Sequence, residues 1–228
     1  MNENNLSSLK AYLDRWEKDK YIKIDNPQEY WSEYWSERIF GDIADGIYPF
    51  WEEIDFIVEL IRKLKLKKIL CLGNGVSLEA AGLSYAGFDV DALDISKEAI
   101  EFLSNRHLTD KDIKRLFLKE QYKVGGKINY IIGDLTDKSV CPGLYDVIIT
   151  RCVLQYYTRS NFLGLLDIMI SKLNDKSLFI SKTHNAYDVN RAIGEYFLGH
   201  NFVICKSEND LLTLAEGKKV AFLYGSSG

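Results

Sequence analysis

The sequence predicts an α/β domain in which a doubly wound sheet of about seven strands carries helices on both faces. Three observations support this. Short apolar runs alternate with amphipathic helical segments from about residue 55 onward. The first apolar run ends in two closely spaced glycines, and the second ends in an acidic residue. The chain has 228 residues, of which 46% are hydrophobic, and this suits one well-packed domain rather than two.

Residues 1–54 are expected to form a helical extension that belongs to the same domain as residues 55–228. Asn26, Pro27 and Glu29 predict a helix start within it, because a capping Asn, a proline at the first helical position and a carboxylate that reaches back are typical of helix N-termini. The extension contains all four tryptophans of the chain: Trp16, Trp31, Trp35 and Trp51.

Aromatic side chains on the helix after Asn26 are spaced three and four residues apart, so they share one face. They are Tyr30, Trp31, Tyr34 and Trp35. This face either packs into the core or forms a lid over a pocket, where it would contact a substrate and exclude water. The sequence leaves both open.

The stretch from Lys67 to Ser96 indicates half of a nucleotide site. Ile69–Leu72 is short and apolar enough to be a buried strand, and Gly73 and Gly75 follow where the chain must turn sharply and let a ligand approach its backbone. The next strand is predicted over Asp89–Leu93 and is closed by Asp94, about 20 residues beyond the glycines. A carboxylate there can accept hydrogen bonds from ribose hydroxyls.

Leu78 stands where a dinucleotide site requires its third glycine, which argues against NAD. The segment resembles motif one of the class I S-adenosylmethionine-dependent methyltransferases, with two departures: Cys71 replaces a common acidic residue, and Ser77 replaces a frequent glycine. In that family the turn receives the methionine end of the cofactor and the acid receives the ribose hydroxyls. The resemblance thus assigns cofactor contacts to Leu72, Gly73, Asn74, Gly75, Asp94 and Ile95.

Two later strands end in segments that extend this resemblance. A third strand, Ile128–Ile132, is followed by Gly133, Asp134 and Leu135, and in the family an acid here lies near the adenine amino group. A fourth strand, Tyr145–Thr150, is followed by a segment that resembles motif four, which lines the space between the cofactor methyl and the substrate. The resemblance assigns cofactor contacts there to Thr150, Arg151 and Cys152, and a substrate contact to Gln155.

Two residues are candidates for catalysis. Tyr156 could orient a substrate or relay a proton. Ser177–Ser181 is a fifth strand, and His184 follows it at the expected carboxyl edge of the sheet, where open α/β sheets bind ligands. His184 is either a general base, since imidazole titrates near neutral pH, or a structural histidine at a strand end, and both interpretations stay open.

The end of the chain predicts a terminal hairpin. Phe202–Lys206 and Lys219–Tyr224 are strand-like, and the loop between them is interpreted as short enough for antiparallel pairing. A Rossmann-like sheet with an antiparallel last strand is also how the resembled family finishes its fold. We therefore expect a seven-stranded sheet of that kind.

Composition excludes several other classes. The net charge is −4 and no basic stripe is present, which counts against a nucleic-acid substrate. No apolar run approaches membrane-spanning length and the first residues lack the apolar core of a signal peptide, so a soluble cytoplasmic protein without membrane partners is expected. The four cysteines form no C-x-x-C pair, which predicts buried reduced thiols and no metal site.

These observations predict S-adenosylmethionine-dependent methyl transfer to a small-molecule acceptor, through an O, N or S atom that the sequence does not identify. No D-P-P-Y-like tetrad is present, which disfavours a DNA-amino methyltransferase, and Arg151 and Leu154 resemble the thiopurine and thiol methyltransferase branch. The alternative is a catalytically silent, methyltransferase-like protein that binds the cofactor or a partner, and Cys71 and Ser77 favour it. An NAD-dependent oxidoreductase is disfavoured by Leu78 and by the lack of a Tyr-x-x-x-Lys pair. The oligomeric state stays open.

Overall fold

The computed structural model describes residues 10–11, 13–14, 24, 26–39, 54–115, 125–141, 143–157, 159–184, 187–205 and 219–226. The helices within these ranges are α1 (Pro27–Ile39), α2 (Ile54–Lys63), α3 (Glu79–Tyr85), α4 (Lys97–Ser104), α5 (Asp110–Arg115), α6 (Arg159–Ser171) and α7 (Tyr187–Leu198). The strands are β1 (Lys68–Leu72), β2 (Asp89–Asp94), β3 (Lys127–Ile132), β4 (Tyr145–Arg151), β5 (Leu173–His184), β6 (Val203–Cys205) and β7 (Lys219–Ser226).

The strands form a seven-stranded sheet in the order β3-β2-β1-β4-β5-β7-β6, which confirms the predicted α/β class and the number of strands. The predicted antiparallel last strand is wrong. β7 runs parallel to both of its neighbours, β5 and β6. Parallel neighbours need a connection of about a dozen residues or more, and residues 206–218, which link β6 to β7, provide that length. A connection of that length does not imply a hairpin.

Residues 25–140 form one compact unit of the chain. Its strands pair in parallel, with Leu72 of β1 opposite Leu93 of β2, and Asp94 of β2 opposite Ile132 of β3. Because neighbouring parallel strands end at the same edge, the segments that follow β1, β2 and β3 leave this part of the sheet side by side. That edge carries the glycine turn, Asp94 and the Gly133–Asp134 pair.

Residues 1–24 and 141–228 form a second compact unit. Its strands β4, β5, β7 and β6 are parallel, and α7 covers one face of them. The ring of Phe197 on α7 lies 4.5 Å from that of Phe179 on β5, centroid to centroid. Large side chains such as Tyr145, Phe162 and Phe197 are fully buried and form the core of this unit. The division into an extension over residues 1–54 and a domain over residues 55–228 stays a prediction.

The start of α1 confirms the predicted cap. The helix begins at Pro27, the backbone N–H of Glu29 donates to Asn26 Oδ1 at 3.3 Å, and Asn26 Nδ2 donates to Glu29 Oε2 at 3.0 Å. The four aromatic side chains assigned to this helix lie on it, whereas Trp16 and Trp51 fall outside the described residues.

In the ranges that the structure describes, no helix is both long and apolar enough to cross a membrane. The cytoplasmic location stays a prediction. The four cysteines are free, and three of them, Cys71, Cys141 and Cys205, are buried, whereas Cys152 is half-buried.

Candidate functional site

The conformation of the turn after β1 depends on its two glycines. Gly73 and Gly75 adopt φ values of 61° and 50°, in the left-handed region that favours glycine. Asn74, which lies between them, is buried; its backbone N–H donates to the carbonyl of Leu93 at 3.1 Å, and its side-chain Nδ2 donates to the carbonyl of Ser77 at 3.1 Å. The turn is therefore tied both to the neighbouring strand and to its own continuation.

Asp94 joins the three segments that the resemblance assigns to cofactor binding in this unit. It ends β2 and is only 6% exposed. Its Oδ2 accepts a 2.6 Å hydrogen bond from the backbone N–H of Gly75, and its Oδ1 accepts one of 2.9 Å from the N–H of Ser96. Its backbone carbonyl accepts from the N–H of Gly133 at 2.9 Å. The glycine turn, the acid and the end of β3 thus meet at one place.

The protonation of Asp94 reflects two opposing effects. Burial raises the pKa of its carboxyl above the ordinary value, because a charge is poorly solvated there, while the backbone N–H groups of Ser96, Gly75 and Ile95 favour the charged form. Each carboxylate oxygen has two acceptor positions. With three backbone donors, from Gly75, Ser96 and Ile95, against four acceptor positions, the carboxylate retains the capacity to accept one further hydrogen bond from a ligand.

Trp35 lies directly against the glycine turn. A Cβ atom built on Gly75 would be 2.5 Å from Cζ2 of the Trp35 indole, so the ring occupies the space that a side chain at position 75 would need. Trp35 is buried in a cluster with Val76 and Ala99. Of the aromatic residues assigned to substrate binding, Trp35 is therefore the one that the structure brings to the turn.

The other aromatic residues of α1 surround Trp35. The rings of Trp31 and Tyr34 lie 6.5 Å and 4.9 Å from it, and both side chains pack partly buried against its cluster. The ring of Tyr30 lies 5.0 Å from that of Trp31 and so extends the group further from the turn. Trp35 thus packs into a core against the turn, and a lid over a pocket stays a prediction. A substrate contact by any of these residues stays a prediction.

Ser96 and Glu98, which the sequence interpretation missed, connect this site to α1. The Ser96 hydroxyl caps α4 by accepting from the N–H of Ala99 at 3.2 Å, and it donates to Glu98 Oε2 at 3.0 Å. A hydrogen bond from the Ser32 side chain of α1 is the main cause that lowers the pKa of Glu98. The signal was available, because a serine directly before an apolar-periodic segment marks a helix start.

Asp134, the acid predicted to face adenine, also stabilises a turn. Asp134 Oδ1 accepts hydrogen bonds from the backbone N–H and the hydroxyl of Thr136, both at 2.8 Å, which is the pattern of an ordinary Asx turn. Leu135 beside it is buried. The position of Asp134 next to the Gly133–Asp94 hydrogen bond is consistent with the assigned role, and that role stays a prediction.

The two departures from the family pattern have local explanations. Cys71 is buried in β1, and burial, followed by the nearby charges of Glu79 and Asp91, raises the pKa of its thiol far above the ordinary value, so it stays neutral. The Ser77 hydroxyl accepts a hydrogen bond from the backbone N–H of Glu79 at 3.2 Å and so closes the first turn of α3. Ser77 thus stabilises the segment after the turn, and Cys71 is a buried neutral residue of the strand before it.

The remaining candidates lie in the second unit, at the carboxyl ends of β4 and β5. Thr150 is opposite Ser181, and Arg151 is opposite Lys182. Cys152 then adopts φ 54°, and its N–H donates to the carbonyl of Lys182 at 2.7 Å. The half-buried residues Gln155 and Tyr156 belong to the 3₁₀ turn Leu154–Tyr156. His184 is the last residue of β5, and its side chain lies outside the described part of the structure. The catalytic roles of Tyr156 and His184 stay predictions.

Within the described ranges, no group of three His, Cys, Asp or Glu side chains is arranged to hold a metal ion.

No protein-family model matches the sequence, and no curated protein sequence matches it. Solved structures with a similar fold are S-adenosylmethionine-dependent methyltransferases. One from Clostridium acetobutylicum is 15% identical with a TM-score of 0.45, and the match covers 64% of this chain and 55% of that one. The plantazolicin methyltransferase BpumL, in complex with SAH, is 17% identical with a TM-score of 0.47, over 92% of this chain and 77% of that one. Magnesium protoporphyrin IX methyltransferase from Synechocystis, with bound SAM, is 16% identical with a TM-score of 0.44, over 86% of each chain. The chain thus spans little more than half the length of the first of these structures.

Proposed function

We propose that this protein binds S-adenosylmethionine and transfers its methyl group to a small-molecule acceptor. The observation that carries the proposal is the hydrogen bond between Asp94 Oδ2 and the N–H of Gly75, which fixes the acid at the end of β2 directly against the glycine turn. The sequence resemblance requires this juxtaposition, because one molecule must contact both segments.

The residues at this edge fit such a molecule. The left-handed glycines keep side chains away from the turn, so that a ligand can approach the backbone of Gly73 and Asn74. Asp94 retains acceptor capacity for a ribose hydroxyl beside its three backbone donors. Asp134 can accept from an exocyclic amino group through Oδ2, since its turn hydrogen bonds involve Oδ1. Leu72 directly precedes the glycine turn, and Ile95 directly follows Asp94.

The protein would mainly have to position and desolvate the reactants. Bound S-adenosylmethionine would supply a sulfonium methyl group that is open to in-line displacement by a nucleophile. Asp94 would hold the ribose end in one orientation, and Trp35 would exclude water from the turn that it covers. The net charge of −4 counts against a polyanionic acceptor such as nucleic acid.

Calorimetry with S-adenosylmethionine and with NAD tests the cofactor. We expect binding of S-adenosylmethionine at about micromolar Kd, equivalent to about 8 kcal/mol. Asp94→Ala should weaken it at least about tenfold, since hydrogen bonds to a charged group contribute about 1.5–3 kcal/mol. Asp89→Ala is the matched control, because Asp89 begins the same strand and forms a solvent-exposed ion pair with Lys67. Binding of NAD alone would disprove the proposal.

Methyl transfer is tested with methyl-labelled cofactor and a panel of thiols, phenols, amines and carboxylates. Label transfer to one chemical class identifies the acceptor atom. Tyr156→Phe and a substitution of His184 then test their assignment to catalysis, since each should lower kcat without changing the Kd of the cofactor. Cofactor binding without transfer to any member of the panel would favour the catalytically silent alternative.

A further inference from the structure

The carboxylate of Asp94 is oriented by backbone groups that belong to separate segments. Its Oδ2 accepts from the N–H of Gly75 in the turn after β1, and its Oδ1 accepts from the N–H of Ser96 at the start of α4. Asp94 and Ser96 are 6% and 0% exposed, so these bonds are shielded from water. The orientation of the carboxylate therefore depends on how firmly the turn and the start of α4 are held in place.

The turn needs support from outside, because glycine has no side chain to fix it and has many accessible backbone conformations. The indole of Trp35 supplies that support. Its Cζ2, Cε2 and Cη2 atoms lie 2.5, 3.1 and 3.2 Å from the position of a Cβ atom on Gly75. Val76, the next residue of the turn, is buried in the same cluster as Trp35. Gly75 thus contacts Asp94 through its N–H and Trp35 through its Cα.

Trp35 also packs against the beginning of α4. It shares its buried cluster with Ala99, which is 0% exposed and lies in the first turn of that helix. The N–H of Ala99 donates to the Ser96 hydroxyl at 3.2 Å, and this capping bond fixes the residue whose own N–H donates to Asp94. One side chain of α1 therefore packs against both segments that donate to the carboxylate.

We propose that Trp35 is a positioning residue that orients the Asp94 carboxylate toward the ribose of the cofactor, by holding two of its backbone donors in place. This role differs from a lid or a substrate contact, because Trp35 acts on the ligand only through Asp94. The inference rests on the proposed function for the identity of the ligand. The support that the indole gives to the carboxylate is a property of the ligand-free protein.

Hydrogen exchange measured by NMR tests this support without any ligand. In Trp35→Leu the amide protons of Gly75 and Ser96 should exchange at least about tenfold faster than in the wild type, because their hydrogen bonds open more often. The N–H of Asn74 is the internal reference, since it lies in the same turn but donates to a carbonyl of β2. Its exchange should stay within about twofold of the wild type. Equal acceleration at all three amides would show that the indole only shields the turn from water and would overturn the inference, as would unchanged exchange at Gly75 and Ser96.

Adenosine and 2′,3′-dideoxyadenosine test the consequence for binding, because they differ in the ribose hydroxyls and both lack the methionine end assigned to the turn. Ligand-observed NMR on the full chain should show that the wild type prefers adenosine at least about tenfold, as expected for a hydrogen bond to a charged group. Trp35→Leu should reduce this preference at least about threefold, because the carboxylate is less well oriented. In an Asp94→Asn background the same substitution should leave the remaining preference unchanged, since the carboxylate is absent there.

Three outcomes of the binding experiment would contradict the inference. They are equal binding of the two nucleosides to the wild type, a preference that Trp35→Leu does not alter, and a preference that it alters equally with aspartate and with asparagine at position 94. Absence of S-adenosylmethionine binding to the wild type would instead refute the proposed function, and the exchange experiment would still decide whether Trp35 supports the carboxylate.

Phe102→Leu is the matched control. Phe102 is an aromatic residue of α4 that packs against the same cluster, but the three atoms nearest to the Cβ position of Gly75 all belong to Trp35. This control should leave exchange and nucleoside preference within about twofold of the wild type. Trp35→Phe serves if leucine at position 35 prevents folding. Its ring is shorter than the indole, so exchange and preference should change in the same direction as with leucine and by a smaller factor, and wild-type values for both would overturn the inference.

Discussion

Substitution of Gly75 by alanine should destabilise the protein for two separable reasons. Alanine at φ 50° is strained, at a cost of about 1–2 kcal/mol. Its Cβ would also lie 2.5 Å from Cζ2 of Trp35, closer than Cβ atoms approach other atoms in proteins, so the indole or the turn must shift. Overpacking of this kind costs about 1–3 kcal/mol. Gly75→Ala should therefore lower the free energy of unfolding by about 2–5 kcal/mol.

Gly125→Ala separates the two effects. Gly125 has φ 71°, and no atom lies within 4 Å of a Cβ atom built on it, so only the backbone cost of about 1–2 kcal/mol applies. Urea unfolding followed by circular dichroism measures both variants. Introducing Trp35→Leu into each background completes the comparison, because it removes the indole from the space next to position 75.

In the Trp35→Leu background, Gly75→Ala should cost about the same as Gly125→Ala, which is about 1–2 kcal/mol. If Gly75→Ala costs equally much with tryptophan and with leucine at position 35, the indole does not restrict the turn and the described packing is refuted. If Gly75→Ala and Gly125→Ala cost the same in the wild-type background, the packing contribution is absent.

Three further predictions concern single sites. Gly164→Ala should raise the free energy of unfolding by about 0.5–1 kcal/mol in urea titrations, because Gly164 lies inside α6 and nothing lies within 4 Å of an added Cβ; a loss of stability would contradict this. Asn26→Ala should lower the free energy of unfolding by about 0.5–2 kcal/mol in thermal unfolding, since it removes the side chain that accepts from the Glu29 N–H. Asn26→Ser should largely preserve the free energy of unfolding, because serine is also a good helix cap. Burial alone would raise the pKa of Asp112, but hydrogen bonds from the Thr109 backbone and hydroxyl and the charge of Arg106 outweigh it and hold the pKa below its ordinary value. Its contribution to stability is therefore present above about pH 4 and lost as the pH falls through the lowered pKa, so the stability difference between wild type and Asp112→Asn should shrink over that interval in acid titrations of unfolding. A constant difference would show that the charge of Asp112 is not involved.

Features that depend on neighbouring residues could be predicted from the sequence. The Asn26–Glu29 cap, the left-handed glycines and the position of Asp94 at the end of β2 follow from local rules of helix starts, turns and strand length. The direction of β7 could not be predicted in this way, because it depends on the path of residues 206–218 and on which neighbours the strand finally joins.

Contacts between separate elements could not be predicted from the sequence either. The sequence placed Trp35 on one face of α1, but its packing on Gly75 depends on how α1 lies against α4 and the turn. The hydrogen bond that links Ser32 to Glu98 has the same origin.

The position of β7 has a consequence for the order in which the protein can assemble during synthesis. The three-residue strand β6 has β7 as its neighbour in the sheet, although β7 follows it in the chain. β6 therefore emerges from the ribosome before the strand that holds it exists. Residues 203–205 can join the sheet only after residues 219–226 have been made and inserted beside β5. This edge should be the last part of the sheet to form, and chains arrested before residue 219 should leave β6 unpaired and accessible to chaperones or proteases.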